Sequence, residues 1–127
     1  MQEIVQIPDN WNNLVNEKQK EAIEHTQGPL LIVAGAGSGK TRVLTYRYAH
    51  LVMSHSVNYS NILAITFTNK AANEMKERIS KLLDLDIYPK WISTFHSSCV
   101  KILRTHGHLI GYKTNFTIYD QSDSSKL

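Results

Sequence analysis

Two kinds of hydrophobic pattern alternate along this chain. Short strand-like runs occur at Leu30 to Ala34, at Ile62 to Phe67, at 91–94 and at 116–119. The first is continuously apolar, which is typical of a strand buried on both faces of a parallel sheet. Between these runs, apolar residues recur every three or four positions, as in amphipathic helices. The alternation predicts an α/β domain with a mainly parallel sheet flanked by helices.

The helical segments have recognisable ends. Asn16 is predicted to cap a helix that ends near His25, and Asn69 a helix that ends near Leu83. Two further helices are expected from Thr41 to about 53 and from the third strand to about 109. Residues 1–13 are predicted to form an irregular arm. The inward-facing positions of these helices are predicted to be Ala22, Ile23, Val43, Leu44, Ala49, Leu51, Val52, Ala72, Met75, Ile79, Leu82, Val100, Ile102, Leu103 and Leu109.

The loop after the first predicted strand is rich in glycine and ends in a lysine and a threonine. It reads Ala34-Gly35-Ala36-Gly37-Ser38-Gly39-Lys40-Thr41, and it lies between a strand and a helix, as a phosphate-binding P-loop does. Glycines let successive backbone N–H groups point into one concavity, and the helix adds the positive end of its dipole. Lys40 can reach the β- and γ-phosphates, and the Thr41 hydroxyl can bind Mg²⁺.

One residue departs from the strict P-loop pattern, because Ala34 stands where the pattern begins with glycine. The tight turn can still come from the three glycines that follow. The alternative is a glycine-rich loop that binds nothing.

The loops after the second and third predicted strands combine an aromatic ring with polar groups. They read Phe67-Thr68-Asn69-Lys70 and Phe95-His96-Ser97-Ser98. Ligands of parallel sheets bind beyond the carboxyl ends of the strands. An exposed ring beside hydroxyls and a cation suits single-stranded nucleic acid, whose bases stack and whose phosphates accept hydrogen bonds. The alternative is that Phe67 and Phe95 are core residues at strand ends.

Composition narrows the class of protein. The chain has 127 residues, a net charge of +3, 42% hydrophobic and 20% charged residues, which indicates one globular domain or part of one. The basic excess fits a nucleic-acid partner without requiring one. The single Cys99 excludes an intramolecular disulfide framework. No signal peptide or membrane span is recognisable, so we expect a soluble cytoplasmic protein without a membrane partner.

Four segments in order resemble the opening motifs of superfamily 1 DNA helicases of the UvrD/Rep/PcrA type. They are Val15-Asn16-Glu17-Lys18-Gln19, Ala34 to Thr41, Ile65 to Ala72, and Ile92-Ser93-Thr94-Phe95-His96. The resemblance implies a RecA-like P-loop NTPase fold over residues 14–127, forming the N-terminal part of the helicase ATP-binding domain. It also implies an ATP-dependent translocase on DNA, bacterial and active in repair or replication.

The resemblance further implies roles for individual residues. Gln19 corresponds to the Q-motif glutamine that binds the adenine edge, and Arg42 to a residue that lies against the same base. The segment from Phe67 to Ala72 corresponds to motif Ia, and Thr94-Phe95-His96 to motif Ib; in the family both contact single-stranded DNA. Phe67 would stack on a base, with polar contacts from the other members, namely Thr68, Asn69, Thr94 and His96. Without the P-loop, Gln19 would be a solvated helix residue. A metal role for His96 is disfavoured by the absence of a second ligand at zinc spacing, and Cys99 is expected in a helix core.

Parts of a complete motor are missing from the sequence. A P-loop motor needs a second-strand Asp for Mg²⁺, an acid that orients the attacking water, and an arginine finger. Asp120 follows a strand-like run, but no Glu follows it. We therefore expect a fragment that binds ATP without hydrolysing it and that works with a second RecA-like domain.

Three rival classes remain open at this point. One is a small P-loop kinase or GTPase, although the Asp of a guanine-recognition motif is replaced by Ala72. Another is a degenerate nucleotide- or DNA-binding module without catalysis. The third is the nuclease-linked RecB/AddA type of helicase.

Overall fold

The computed structural model describes residues 13–35, 37, 39–86 and 88–119. The chain divides into two compact units, Met1–Thr94 and Phe95–Leu127. Within the described residues the elements are α1 (Glu17–Glu24), α2 (Lys40–Ser54), β1 (Ala64–Thr66), α3 (Asn69–Leu83), β2 (Ile92–Thr94) and α4 (Phe95–His106), with short 3₁₀ turns at Tyr59–Asn61 and Gly107–Ile110. This order of helices and strands confirms an α/β arrangement. Residues 1–12 of the predicted arm lie outside the described residues.

The two strands form a parallel pair, as the sequence predicts. Ala64 aligns with Ile92, Ile65 with Ser93 and Thr66 with Thr94. Helix α3 connects them, which makes a β–α–β unit. Both strands are three residues long, shorter than the apolar runs that contain them.

Two predicted strands are wrong in the described residues. The segment from Leu30 to Ala34 has no strand pairing, and Leu31 and Val33 are 86% and 89% exposed. The segment 116–119 is also unpaired, with Ile118 and Tyr119 mostly exposed. An apolar run shows that a segment is able to be buried in a sheet. A strand forms only where another strand supplies the ladder of hydrogen bonds.

The larger core cluster joins α2, α3 and β2. Tyr48 and Ala49 from α2 pack with Met75 and Ile79 from α3 and with Ile92 from β2. Ala49, Ile79 and Ile92 are fully buried. The three- and four-residue spacing on α3 therefore identified its buried face correctly.

The phenol of Tyr48 has a polar partner inside this cluster. Its hydroxyl donates to the Tyr59 carbonyl at 3.2 Å. Burial raises the pKa of Tyr48 to about 12, with Tyr59 adding to the shift. The phenol is therefore neutral at physiological pH.

A smaller cluster joins α1 to α2 through Ala22, Ile23 and Val43. Two arginines of α2 reinforce this contact. Arg42 Nη1 donates to the Leu14 carbonyl at 3.0 Å. Arg47 Nη1 donates to the Ala22 carbonyl at 2.8 Å and also to the His25 carbonyl. Carbonyls at the end of α1, which have no partner within the helix, are thereby satisfied.

Some of the predicted helix details are wrong. Thr68, and not Asn69, caps α3, because the Thr68 hydroxyl accepts from the Ala71 N–H at 3.1 Å. Leu44, Ile102 and Leu109 are 48%, 44% and 74% exposed, and Cys99 is also exposed. Regular spacing marks one stripe of a helix, but only the neighbouring elements decide how wide the buried part of that stripe is.

The second unit is small and has few buried residues. Helix α4 buries Ser98, and Gly107 begins a 3₁₀ turn that ends before Gly111 at φ 90°. The Arg104 guanidinium donates to the Thr114 carbonyl at 3.3 Å and lies 4.9 Å from the centre of the Phe116 ring. This contact holds the residues after Gly111 against α4. Among the described residues, no helix is long and apolar enough to cross a bilayer.

Replacing Ile79 with alanine tests the larger core. Ile79 is fully buried between α2 and β2, so Ile79→Ala is expected to lower the free energy of unfolding by about 2–5 kcal/mol. Urea titration followed by circular dichroism measures the change. Glu77→Ala, at an exposed position of the same helix, is the control and should change stability by less than about 0.5 kcal/mol. Equal effects of the two substitutions would contradict this packing.

Candidate functional site

The glycine-rich loop meets α2 through two glycines with left-handed backbone. Gly37 has φ 73° and Gly39, the N-cap of α2, has φ 83°. Residues with a Cβ rarely adopt these angles, so glycine is required for this path. Ala36 and Ser38 of the predicted loop lie outside the described residues, while Ala34 is half-buried and Gly35 is exposed.

The N-terminus of α2 differs from those of α1 and α3. Asn16 and Thr68 cap the other two helices with their side chains, whereas Gly39 offers no side-chain cap to α2. The first turn of α2 contains no acidic residue and begins with Lys40. Because unbonded N–H groups and the helix dipole both favour an anion there, this end of α2 is electrostatically suited to phosphate.

A cavity of about 410 Å³ brings together residues from three helices. Among the residues that the structure describes, every ionisable side chain in its lining is a cation and none is a carboxylate. The described lining consists of Gln19, Gly37, Gly39, Lys40, Thr41, Arg42 and Arg78. Such a cavity favours a polyanionic ligand over a neutral or cationic one.

Six predicted nucleotide residues and one unpredicted residue thus share this cavity. The six that were singled out from the sequence are Gln19, Gly37, Gly39, Lys40, Thr41 and Arg42. Arg78 was not singled out, because on the sequence it is one of many charged residues on the polar side of α3. The sequence feature that could have identified Arg78 is its position next to Ile79, at the margin of the apolar stripe of α3.

A second cavity, of about 340 Å³, shares Gln19 and Lys40 with the first. Its lining is mainly apolar and includes Ile32, Val33, Val43 and Leu44. The charged cavity is therefore the better match for a phosphate-bearing ligand.

The Gln19 side chain also has a structural task. Its Oε1 accepts from the Asn16 N–H at 2.9 Å, while Asn16 Oδ1 accepts from the Gln19 N–H at 2.9 Å, which completes a capping box. A Cβ added to Gly39 would lie 3.3 Å from Gln19 Nε2. One end of the amide thus holds the start of α1, and the other lies against the last glycine of the loop. Gln19 is half-buried, so it is not a fully solvated helix residue.

In the charged cavity, the Thr41 hydroxyl is the predicted protein ligand for Mg²⁺. Thr41 is exposed in the first turn of α2 and lines the charged cavity, so its hydroxyl fits an ion that keeps most of its ligands from phosphate and water. Among the described residues, no group of three or more His, Cys, Asp or Glu side chains could hold a metal.

The residues after β1 are presented to solvent. Phe67 is 89% exposed, which excludes the alternative that it is a core residue. Thr68 caps α3 and its carbonyl accepts from the Thr66 hydroxyl at 3.1 Å. Asn69 and Lys70 are exposed in the first turn of α3. The capped turn therefore holds an exposed ring beside an amide and a cation.

The predicted contacts after β2 are less uniform. Thr94 ends β2 and is only 6% exposed, unlike the other polar members of the predicted set. Phe95 and His96 begin α4; Phe95 is 49% exposed, so it is not a core residue, and His96 is exposed.

Comparison with known proteins identifies the family. The described residues define an α/β protein whose charged cavity is formed around a glycine-rich loop. A family model described as UvrD/REP helicase N-terminal domain matches residues 15–127. The chain belongs to this family.

Curated relatives agree with this assignment. The chain is 56% identical to ATP-dependent DNA helicase PcrA of Staphylococcus aureus strain Mu50 over 115 residues, which is 91% of this chain and 16% of that protein. It is 60% identical to ATP-dependent DNA helicase PcrA of Leuconostoc citreum over 120 residues, which is 94% of this chain and 16% of that protein. The chain thus spans about 16% of the length of these relatives.

The backbone angle of Gly39 leads to a prediction about the loop. Gly39→Ala combines a positive φ with a close approach to Gln19, so it is expected to lower stability by about 1–2 kcal/mol. Gly35→Ala is the matched control, because Gly35 lacks a positive φ and a Cβ there meets nothing within 4 Å. The midpoints of urea unfolding measure both. Equal stability of the two variants would contradict a left-handed backbone conformation at Gly39.

Proposed function

We propose that this chain is the N-terminal part of the ATP-binding motor domain of a DNA helicase, extending over residues 14–127 with a RecA-like P-loop fold. The observation that carries the proposal is the convergence of Gln19, Lys40, Thr41 and Arg42 on one cavity whose ionisable residues are all basic. The UvrD/REP family match and the PcrA relatives support the same function. They also favour a PcrA-like helicase over a small kinase, a GTPase or a nuclease-linked helicase.

The ligand of the cavity is proposed to be ATP with Mg²⁺. The Lys40 ammonium would bind the β- and γ-phosphates, together with N–H groups of the loop from Ala34 to Ser38 and of the first turn of α2. The Thr41 hydroxyl would be the protein's ligand to Mg²⁺. The capping box uses Gln19 Oε1 as an acceptor for one hydrogen bond. The remaining hydrogen-bonding groups of that amide would pair with the adenine edge, and the planar Arg42 guanidinium would lie against the base.

Single-stranded DNA is the proposed second ligand. Phe67 would stack on a base, and Thr68, Asn69 and Lys70 would contact the backbone at the start of α3. Thr94, Phe95 and His96 are proposed as the motif Ib contacts. The exposure of Phe67 supports this assignment most strongly, because a base can stack only on a ring that solvent reaches.

Hydrolysis and movement would require groups from elsewhere in a helicase. ATP binding would close this domain on a second RecA-like domain, and hydrolysis would reopen them and move the strand past the stacking rings. In the part of the chain that the structure describes, the lining of the charged cavity contains no acid that could orient water. We therefore expect the 127-residue chain to bind ATP without turnover; Asp120, the nearest sequence candidate for such an acid, lies outside the described residues.

Loss of the Lys40 charge should remove nucleotide binding. Lys40→Ala is expected to weaken binding of a fluorescent ATP analogue with Mg²⁺ at least tenfold, because a charge-assisted contact is lost. Lys113→Ala removes the same charge at an exposed position outside the cavity lining and should leave affinity unchanged. Phosphate release is followed in the same samples. Binding that survives Lys40→Ala would refute the phosphate-binding role of the loop, and turnover by the wild-type chain would refute the expected lack of hydrolysis.

Removal of the Phe67 ring should weaken DNA binding with little effect on stability. Phe67→Ala is expected to cost about 1–3 kcal/mol in affinity for a labelled oligothymidylate if one base stacks there. Fluorescence anisotropy measures binding, and urea unfolding measures stability. Tyr88→Ala, which removes another exposed ring, is the control. Equal affinities of Phe67→Ala and wild type would rule out stacking on Phe67.

A further inference from the structure

Arg78 brings a third cation to the nucleotide cavity from a helix that no nucleotide motif includes. It lies on α3 and lines the 410 Å³ cavity together with the loop glycines, Lys40 and Thr41. Its neighbour Ile79 is fully buried in the core. The backbone that carries Arg78 is therefore fixed by packing, although the side chain itself is exposed.

Arg78 also lines an adjoining cavity of about 240 Å³ between α2 and α3. Arg42 lines both cavities as well, so the two guanidinium groups border the same space. Arg42 has the Leu14 carbonyl as a partner. For Arg78, the described part of the chain contains no hydrogen-bond or ion-pair partner, although Glu74 lies one turn earlier on the same helix.

Like charges that share a cavity repel one another, and an anion placed between them relieves this repulsion. Among the described residues, the lining of the 410 Å³ cavity has no carboxylate that could serve this purpose. A guanidinium has a planar fork of donors that matches two phosphate oxygens. The arrangement therefore calls for a phosphate-bearing ligand in contact with Arg78.

We propose that Arg78 is a phosphate contact of the bound nucleotide, contributed by α3, whereas Lys40 is contributed by the start of α2. This inference rests on the proposed ATP site and adds to it a binding residue outside the P-loop. It distinguishes Arg78 from Gln19 and Arg42, which are proposed to contact the base.

The test compares ligands that differ in the number of phosphates. Binding of ATP, ADP and adenosine to the 127-residue chain is measured with Mg²⁺ for wild type, Arg78→Ala and Arg78→Lys. Arg78→Ala is expected to weaken ATP binding about 10- to 100-fold, as for loss of a hydrogen bond to a charged group. Adenosine binding should stay unchanged, and Arg78→Lys should be intermediate because it keeps the charge but loses the fork.

Two controls separate this contact from effects on folding or on general charge. Lys76→Ala removes a cation from the same helix at a position outside the lining of the 410 Å³ cavity, and it should bind all three ligands as wild type does. Circular dichroism and urea unfolding report whether each variant is folded. If Arg78→Ala is folded, its ligand affinities are compared with those of wild type. If Arg78→Ala unfolds, the affinities of Arg78→Lys are compared with wild type instead.

The outcomes distinguish this inference from the proposed function. If Lys40→Ala loses ATP and Arg78→Ala binds ATP as wild type does, the ATP site stands and the Arg78 contact is overturned. An equal loss of adenosine and ATP binding in Arg78→Ala also overturns it, because the residue would then act on the base or on the fold. If the wild-type chain binds no nucleotide, both proposals fail for this chain.

Discussion

Helix α2 is buried on two sides, and the first unit, up to Thr94, depends on that double contact. One side packs Val43 against Ala22 and Ile23 of α1, and the other packs Tyr48 and Ala49 into the cluster with α3 and β2. The start of α2 is consequently held between two other helices. The charged cavity forms where side chains from all three helices surround that start. If α2 lost either contact, Gln19 or Arg78 would no longer be held beside Lys40.

The polar contacts explain why this arrangement suits an anion. The first turns of α1 and α3 are satisfied by Asn16 and Thr68, whereas α2 begins at a glycine without a side-chain cap. Arg42 and Arg47 of α2 donate to carbonyls just before α1 and near its end, respectively. Arg42 also lines the charged cavity, so this side chain both stabilises the contact with α1 and forms part of the cavity. A phosphate-bearing ligand would supply the charge and the acceptors that this part of the protein lacks.

The strand ends show a related division of tasks. After β1, the Thr68 hydroxyl caps α3 and the Thr66 hydroxyl donates to the Thr68 carbonyl, which leaves the Phe67 ring 89% exposed between two ordered residues. An exposed ring held by a rigid turn can stack on a ligand with little loss of conformational entropy. In this chain α3 thus carries Arg78 at the charged cavity and begins beside the proposed DNA contact.

Much of this arrangement follows from the sequence itself. The spacing of Met75 and Ile79 identified the buried face of α3 because the helical repeat is a local property. The Gly-Lys-Thr segment identified the start of α2 because glycine readily adopts the left-handed backbone that Gly39 has just before the helix. Other features depend on contacts between distant residues. The run from Leu30 to Ala34 is apolar enough for a strand, yet it has no strand beside it in the described structure, and the exposure of Phe67 and Cys99 could not be derived from spacing. The capping role of Gln19 and the position of Arg78 likewise required the packing of three helices. Local geometry determines which segments are able to be helices or turns, whereas burial and pairing exist only after separate segments have met.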